Sequence, residues 1–322
     1  DIRVYQRDDS GQWTARQLGD RVTVDPLAVE SVTPTLPVVI KPDQVTRFYL
    51  RIQSESSMLI DIRVMSARAF FQSSMIGFLA YGAMYGIILA MCLYNLFLYL
   101  SLRDVNYLLY VAGMLSTAVF QATLSGHAPK WLWPGYTAYS EQIYQVFCAL
   151  VLIFGLWFAH RFLEVRERVP GMHRIIIALI VLSGLTIPFA QVTSFQVSVH
   201  MTGLTSAASG AVAFTAGLLS LRSGHRPARF YLLAWTGYLI GAVMMAGRRH
   251  GLVENNFITT HAMEVGSVLE TILISFALSD RYNQMRQAKE DAQREVAEGL
   301  RRMDRLKDEF LANTSHELRT PL

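Results

Sequence analysis

Charged residues are scarce in this sequence. They make up 17% of its 322 residues, whereas hydrophobic residues make up 52% and the mean hydropathy is +0.28. Because soluble domains carry about 25% charged residues, this composition excludes an ordinary soluble protein and indicates a membrane protein. The net charge of +4 comes largely from arginines at the edges of apolar segments, so no nucleic-acid partner is needed to explain it.

Cysteine is rarer still, with two residues in the sequence. The two cysteines, Cys92 and Cys148, both lie in apolar stretches, so we interpret them as small unpaired hydrophobic residues. Neither a disulfide framework nor a zinc site is predicted.

The chain starts at Asp1 without a methionine or a basic and apolar leader, so we expect an export signal to have been removed or never included. We expect both ends to be truncated.

Residues 1–73 show short alternating runs separated by turn signals, which is typical of a β-sandwich. Because about seventy residues without a disulfide make a thin core, we predict a partial sandwich that acts as an extracytoplasmic sensor. Three aromatic side chains, Tyr5, Trp13 and Tyr49, either stack on a sugar-like ligand or belong to the core. The predicted strands are Ile2–Arg7, Trp13–Leu18, Pro37–Ile40, Val45–Gln53 and Leu59–Met65.

Seven apolar segments occupy residues 74–278, and each has nearly the 20 residues that a membrane-spanning helix needs. The sequence therefore predicts a polytopic α-helical membrane protein with a seven-helix bundle. The predicted spans are Met75–Leu100, Val105–Leu124, Ile143–Leu163, Ile175–Ala190, Val197–Leu221, Phe230–Met245 and Phe257–Leu278.

Basic residues set the predicted orientation of these spans. The loops after the first, third and fifth spans carry eight arginines, whereas the alternate loops carry one lysine and two arginines. Because basic loops stay in the cytoplasm, we expect the sandwich outside and the carboxyl terminus inside. On this topology Trp131 and Trp133 lie at the outer interface as anchors. The four lysines all lie outside the spans, which excludes a retinal Schiff base: Lys41, Lys130, Lys289 and Lys307.

The last span carries three ionisable residues, His261, Glu264 and Glu270. A charge in hydrocarbon costs at least about 2.5–3.5 kcal/mol, so such residues are candidates for function. Glu264 and Glu270 either form a ligand, proton or signal relay or make structural hydrogen bonds to neighbouring helices. Both interpretations remain open at this stage.

A heptad seam follows the last span. The seam predicts a parallel dimeric coiled coil over residues 279–305, supported by four-residue pairs such as Glu290 with Arg294. A solvated single helix is the alternative. Lys289 and Gly299 are faults that weaken the seam, and we predict that Gly299 helps to keep it close to two states. The seam positions are Leu278, Tyr282, Met285, Lys289, Ala292, Val296, Gly299, Met303, Leu306 and Phe310.

Residues 306–322 end in Ser315-His316-Glu317-Leu318-Arg319-Thr320-Pro321-Leu322. A neutral imidazole is a nucleophile near neutral pH, and an adjacent carboxylate fixes one ring nitrogen as N–H. We therefore predict that His316 accepts a phosphoryl group while Glu317 orients its ring. Thr320 lies one turn further along the same helix face, where it can position a water for the reverse step. From Leu278 to His316 a continuous helix would span about 57 Å.

These eight residues resemble the H-box of sensor histidine kinases at every position. Two further segments, Gly11-Gln12-Trp13 and Phe48–Ser54, resemble the extracellular sensor of seven-transmembrane receptors with diverse intracellular signalling modules. The resemblance implies a membrane sensor histidine kinase of a two-component system in a bacterial inner membrane. It also implies a homodimer, ATP with Mg²⁺ bound by a separate catalytic domain, a response-regulator receiver aspartate as acceptor, and a carbohydrate-like ligand outside.

Two other functions remain possible on the sequence. A receptor could modulate a partner kinase by heterodimerising through residues 279–310, which would make its own His316 dispensable. A transporter could use Glu264 and Glu270, but the sequence shows neither an inverted repeat nor paired broken helices.

Overall fold

The computed structural model describes residues 2–7, 12–19, 29, 31–40, 45–53, 60, 62–134, 139–249, 251–254 and 256–319, with residues 249, 257 and 308–319 described by their backbone alone. Within this part of the chain, three strands precede nine helices. Seven of the helices are long and apolar enough to cross a membrane, so the protein is a multi-pass membrane protein. The predicted seven-helix domain with a partial amino-terminal sheet is confirmed.

The sheet contains β1 (Ile2–Arg7), β2 (Trp13–Leu18) and β3 (Phe48–Ile52) in the order β2-β1-β3. Both neighbours pair antiparallel with β1, and Tyr5 lies opposite Ala15 on one side and Tyr49 on the other. Leu18 is the buried hydrophobic residue of this small sheet. The described residues form one layer only, so a second sheet of a sandwich is not among them.

Two predicted strands are wrong. The described residues of Pro37–Ile40 and Leu59–Met65 are not in strands. Pro37 has no N–H to give to a ladder, and its carbonyl oxygen instead accepts a hydrogen bond from the Arg16 guanidinium at 3.4 Å. Residues 62–65 lead directly into a helix and are exposed, so their alternating pattern has no facing strand.

The first membrane helix, α1 (Ala67–Leu102), begins eight residues before the predicted span. Ser66 caps it, because its hydroxyl oxygen accepts a hydrogen bond from the Ala69 N–H at 3.3 Å. The helix ends where Arg103 adopts a left-handed conformation with φ 57°. Helix α1 thus continues beyond the apolar stretch, which is why hydropathy alone placed its start too late.

The bounds of the remaining helices are α2 (Val105–Leu124), α3 (His127–Trp131), α4 (Ser140–Phe162), α5 (Val165–Arg168), α6 (Pro170–Val192), α7 (Phe195–Arg222), α8 (Ala228–Arg249) and α9 (Phe257–Arg319). Helices α2, α4, α6, α7 and α8 follow the predicted spans to within about five residues at each end, whereas α9 starts with its predicted span and continues far beyond it. Two short helices, which hydropathy does not detect, lie in the connections after α2 and α4.

Many large apolar side chains on the long helices face outwards, where lipid would contact them. The interior contains small and polar residues beside buried large ones such as Phe162 and Tyr231. The Thr202 hydroxyl on α7 donates to Gln145 Oε1 on α4 at 2.8 Å, and the Tyr110 hydroxyl on α2 donates to the Thr271 carbonyl on α9 at 2.9 Å. Such bonds satisfy polar groups that lipid cannot solvate. Cys92 and Cys148 are buried and free, as predicted.

The chain divides into two compact units, residues 1–274 and 275–322. Helix α9 crosses this division without a break and is 63 residues long. Its apolar first part belongs to the membrane domain, and its charged second part leads to the predicted phosphoacceptor motif.

Candidate functional site

The predicted phosphoacceptor motif lies at the end of α9. The backbone is helical through Arg319, so His316 and Glu317 occupy its last two turns. Their side chains, and Thr320 altogether, lie outside the described residues. The roles assigned to His316, Glu317 and Thr320 therefore stay predictions.

The predicted coiled-coil segment is a helix whose side chains are exposed in the single chain from Asn283 to Lys307. Four seam residues, Met285, Val296, Met303 and Leu306, are 46–66% exposed. The space where a side chain on Gly299 would lie is open. An apolar seam that remains uncovered on a single helix is what a coiled-coil partner would bury. Pairing with a second chain remains a prediction.

The ion pairs on this helix differ from the predicted ones. Glu290 accepts a hydrogen bond from Arg286, four residues before it, at 2.8 Å. Arg294 acts on Glu290 only as a nearby charge. Both partners of the observed pair are largely exposed, so solvent screens the pair and it adds little to helix stability.

An aromatic cluster closes the outer end of the membrane domain. We define the outer aromatic cluster as Tyr81 and Tyr85 on α1, His127 at the start of α3, and His261 on α9. The Tyr81 ring centroid lies 4.5 Å from that of His127, 5.7 Å from His261 and 6.2 Å from the stacked ring of Tyr85. These distances are within the range of favourable aromatic contacts. Tyr81 therefore connects three separate elements of the fold.

Hydrogen bonds fix His127 within the cluster. Its Nδ1 lies 2.8 Å from the Ser125 hydroxyl, which in turn lies 3.3 Å from the Tyr85 hydroxyl. Burial, together with the positive charge of Lys130, lowers the pKa of His127 below its usual value. The neutral imidazole is thus the favoured form.

The amino-terminal sensor region touches the membrane domain beside this cluster. Gly126 has φ 78°, and a Cβ placed on it would lie 3.0 Å from Val32 Cγ1 and 3.4 Å from the Val32 carbonyl oxygen. A glycine is required here both by the left-handed backbone and by the close approach. Because Gly126 precedes His127, Val32 lies next to the cluster.

Glu264 and Glu270 lie on different sides of α9. Glu264 lies near the hydroxyls of Tyr81 and Tyr85, whereas Glu270 lies near Tyr231 and Tyr238 on α8. Six residues correspond to about 600°, so the two carboxylates point about 120° apart around the helix. The structure brings Glu264 to the outer cluster and separates Glu270 from it.

Helices α8 and α9 approach each other backbone to backbone. A Cβ on Gly241 would lie 2.5 Å from the Ala262 carbonyl oxygen, and a Cβ on Gly266 would lie 2.8 Å from that of Gly237. Gly237 and Gly241 form a GxxxG pattern, which permits such close approach in membranes. This contact was not among the sequence-based predictions, although the GxxxG pattern indicates it.

A second polar network ties two turns together at the other end of the bundle. Glu164, which has φ 52°, accepts a hydrogen bond from Arg168 at 2.7 Å and lies 3.8 Å from His225 Nδ1. His225 is buried, and its Nε2 donates to the Phe162 carbonyl at 3.1 Å. The network joins the turn after α4 to the turn after α7. No local pattern in the sequence indicates this pairing, because the partners are about sixty residues apart.

The sheet presents an exposed aromatic pair. Trp13 and Tyr49 contact edge to face at 5.3 Å, and the Arg7 guanidinium lies 5.0 Å from the centre of the Trp13 ring. Each of the two aromatic side chains is about half exposed. They are therefore accessible to a ligand, as the sugar-binding alternative requires.

Two family models match the chain. Residues 77–281, well over half of its length, match the family described as 7TM diverse intracellular signalling. Residues 1–66 match the family described as 7TMR-DISM extracellular 2. No curated protein and no solved structure matches the chain.

Proposed function

The chain belongs to the 7TM diverse intracellular signalling family, and from this premise we propose that it is the sensory part of a two-component histidine kinase. As a member it is a transmembrane signalling receptor with an extracellular domain. The finer proposal is that an extracytoplasmic signal changes the rate at which His316 is phosphorylated. The phosphoryl group then passes to the aspartate of a response-regulator receiver domain.

One observation carries this proposal. Helix α9 runs without a break from Phe257 to Arg319, so a single helix contains both His261 of the outer aromatic cluster and His316. A rotation or shift of the outer part of α9 would be passed along a hydrogen-bonded helix rather than absorbed by a loop. The sensor region contacts the cluster through Val32 and Gly126, which supplies an input at the outer end.

The orientation and assembly follow from the same features. The arginine-rich loops favour an outer sheet and a cytoplasmic end of α9. The bacterial inner membrane is proposed from the resemblance to sensor histidine kinases. The exposed seam between Met285 and Leu306 favours a homodimer. ATP with Mg²⁺ would be held by a separate catalytic domain. Within the present chain, His316 would accept the phosphoryl group, Glu317 would orient its ring and Thr320 would assist dephosphorylation. The half-exposed Trp13 and Tyr49 are the surface that we propose for a carbohydrate-like ligand.

The test uses the full-length protein in lipid nanodiscs with labelled ATP. We expect an acid-labile, base-stable phosphate on the wild type and none on His316→Gln. Glu317→Gln should slow phosphorylation, and Thr320→Ala should slow dephosphorylation while phosphorylation continues. If His316→Gln retains signalling output in cells, the chain instead modulates a partner kinase through residues 279–310. An intact wild type that never acquires the phosphate would overturn the proposal.

A further inference from the structure

Buried polar atoms lie just inside the outer aromatic cluster. Gln121, in the last turn of α2, is 4% exposed, and its Oε1 lies 3.4 Å from the Ser267 hydroxyl on α9. Ser267 has a single hydroxyl proton, and its closer acceptor is the Glu264 carbonyl oxygen at 2.9 Å. The Gln121 amide is therefore held weakly. Among the described residues, no group accepts a hydrogen bond from its buried Nε2.

Glu264 offers the complementary atom. It precedes Ser267 by three residues and so lies on the same face of α9. Its Oε2 is buried, and nothing in the described part of the chain donates a hydrogen bond to it. An unsatisfied donor and an unsatisfied acceptor thus lie on neighbouring helices, and the residues of α9 that face Gln121 and carry the acceptor are three apart in sequence. Buried polar groups without partners are uncommon in folded proteins, and a bound molecule is one of the ordinary explanations.

Both signs of charge border the same tyrosine. Glu264 and Arg248 both lie near the Tyr81 hydroxyl. The Arg248 guanidinium is anchored by a hydrogen bond from Nη1 to the Thr260 hydroxyl at 2.9 Å. The stacked rings of Tyr81 and Tyr85 add aromatic faces, which attract organic cations. The surroundings thus suit a molecule that carries a positive and a negative group a few bonds apart.

We propose that Tyr81, Gln121, Arg248 and Glu264, here named the outer polar site, bind a small zwitterion of the free amino-acid class. The ammonium group donates to Glu264 Oε2 beside the tyrosine rings. The carboxylate accepts from Gln121 Nε2 and faces Arg248. A simple organic cation would leave the Gln121 donor unsatisfied, and a simple carboxylate would leave the Glu264 acceptor unsatisfied. A ligand with both groups satisfies both buried atoms.

The position of the site gives such binding a consequence. Glu264 and His261 both lie on α9, one turn apart, and His261 contacts Tyr81. A zwitterion held between α1, α2 and α9 therefore contacts the helix that leads to His316. The membrane domain would then receive an input separate from the sheet, whose exposed aromatic pair lies on different residues.

The experiment measures binding directly. Full-length protein in nanodiscs is mixed with the twenty common amino acids, and saturation-transfer NMR identifies those that bind; calorimetry then gives their affinity. We expect at least one amino acid to bind the wild type. Glu264→Gln should weaken that binding about ten- to hundredfold, because a charge-assisted hydrogen bond is lost. The control Glu254→Gln removes an exposed outer carboxylate and should bind like the wild type.

Half-ligands and a second variant complete the test. Methylammonium and acetate should each bind far more weakly than the intact amino acid, and Gln121→Leu should weaken binding by about tenfold. If Glu264→Gln does not give a monodisperse protein, the half-ligand comparison and the Gln121→Leu comparison decide whether the proposal holds. The proposal is wrong if no amino acid shows saturation transfer, if a half-ligand binds as well as the whole, or if folded Glu264→Gln binds normally. The same binding measurements on the His316→Gln protein, which lacks the proposed phosphoacceptor, distinguish a failure of amino-acid binding from a failure of the phosphotransfer proposal.

Discussion

Substituting Gly241 by alanine adds one methyl group at the closest helix contact in the membrane domain. Its Cβ would lie 2.5 Å from the Ala262 carbonyl oxygen and 2.8 Å from Met263 Cα. Because both are backbone atoms, no side-chain rotation can relieve the overlap. Ordinary contact begins at 3.4 Å, so α8 and α9 must separate by about 0.9 Å at this point. Overpacking of this kind costs about 1–3 kcal/mol.

Gly237→Ala is the matched control for this substitution. It lies one turn earlier on the same helix, and the position of its Cβ is open. Alanine favours a helix over glycine by up to about 1 kcal/mol, and this gain is common to both variants. The difference in free energy of unfolding between the two variants therefore reports the cost of the steric overlap alone. We expect Gly241→Ala to be less stable than Gly237→Ala by about 1–3 kcal/mol.

The assay is thermal or denaturant unfolding of both variants in the same nanodiscs, followed by phosphorylation of His316. We expect Gly241→Ala to melt at a lower temperature and, because α9 is displaced, to show an altered basal phosphorylation rate. Equal stabilities for the two variants would refute the close backbone contact. A destabilised Gly241→Ala with unchanged phosphorylation would show that the spacing of α8 and α9 does not control the output.

Two further predictions concern the seam and His127. The double variant Lys289→Leu with Gly299→Ala repairs both seam faults. We expect it to crosslink as a dimer more completely than the wild type and to give an output that no longer responds to signal. The control Gln287→Leu lies on the opposite face of the helix and should leave the response intact. Because the pKa of His127 is lowered in the folded protein, the unfolded chain binds more protons than the folded chain near and below about pH 6.5. The free energy of unfolding should therefore fall as the pH falls. His127→Gln removes this group, so the decline in melting temperature between about pH 7.5 and about pH 5.5 should become less steep. A decline equally steep in His127→Gln would exclude this histidine as its cause.

The membrane helices could be predicted from the sequence because lipid imposes a single requirement on each of them. A span such as Val105–Leu124 needs about twenty apolar residues and satisfies its backbone internally, so local composition determines its limits. The same reasoning misplaced the start of α1, because Ser66 and the helix formers after it extend the helix beyond the apolar run. Strands require a partner, and the pattern in residues 59–65 carried no information about whether one exists.

The candidate sites were predictable only in part, because their partners are distant in the sequence. His261 and Glu264 could be selected individually as ionisable residues in an apolar span. Their association with Tyr81, about 180 residues earlier, depends on how α1 packs against α9. The contact between Val32 and Gly126 likewise depends on the fold. By contrast, the motif predicted around His316 is contiguous, so proposing it required no knowledge of the fold, and its role stays a prediction.

The energetics of switching limit what any single outer contact can do. Moving a two-state receptor from 1% to 99% in the active state requires about 5.5 kcal/mol of difference in interaction between the states. One aromatic contact, such as that of Tyr81 with His261, contributes about 0.5–1.5 kcal/mol. Because one such contact falls short of this difference, we expect the contact at Gly126, the proposed outer polar site and the glycine contact between α8 and α9 to act together on α9. We accordingly expect the receptor to respond fully only when inputs from the sheet and from the membrane domain coincide, and removal of either contact to reduce the response rather than abolish it.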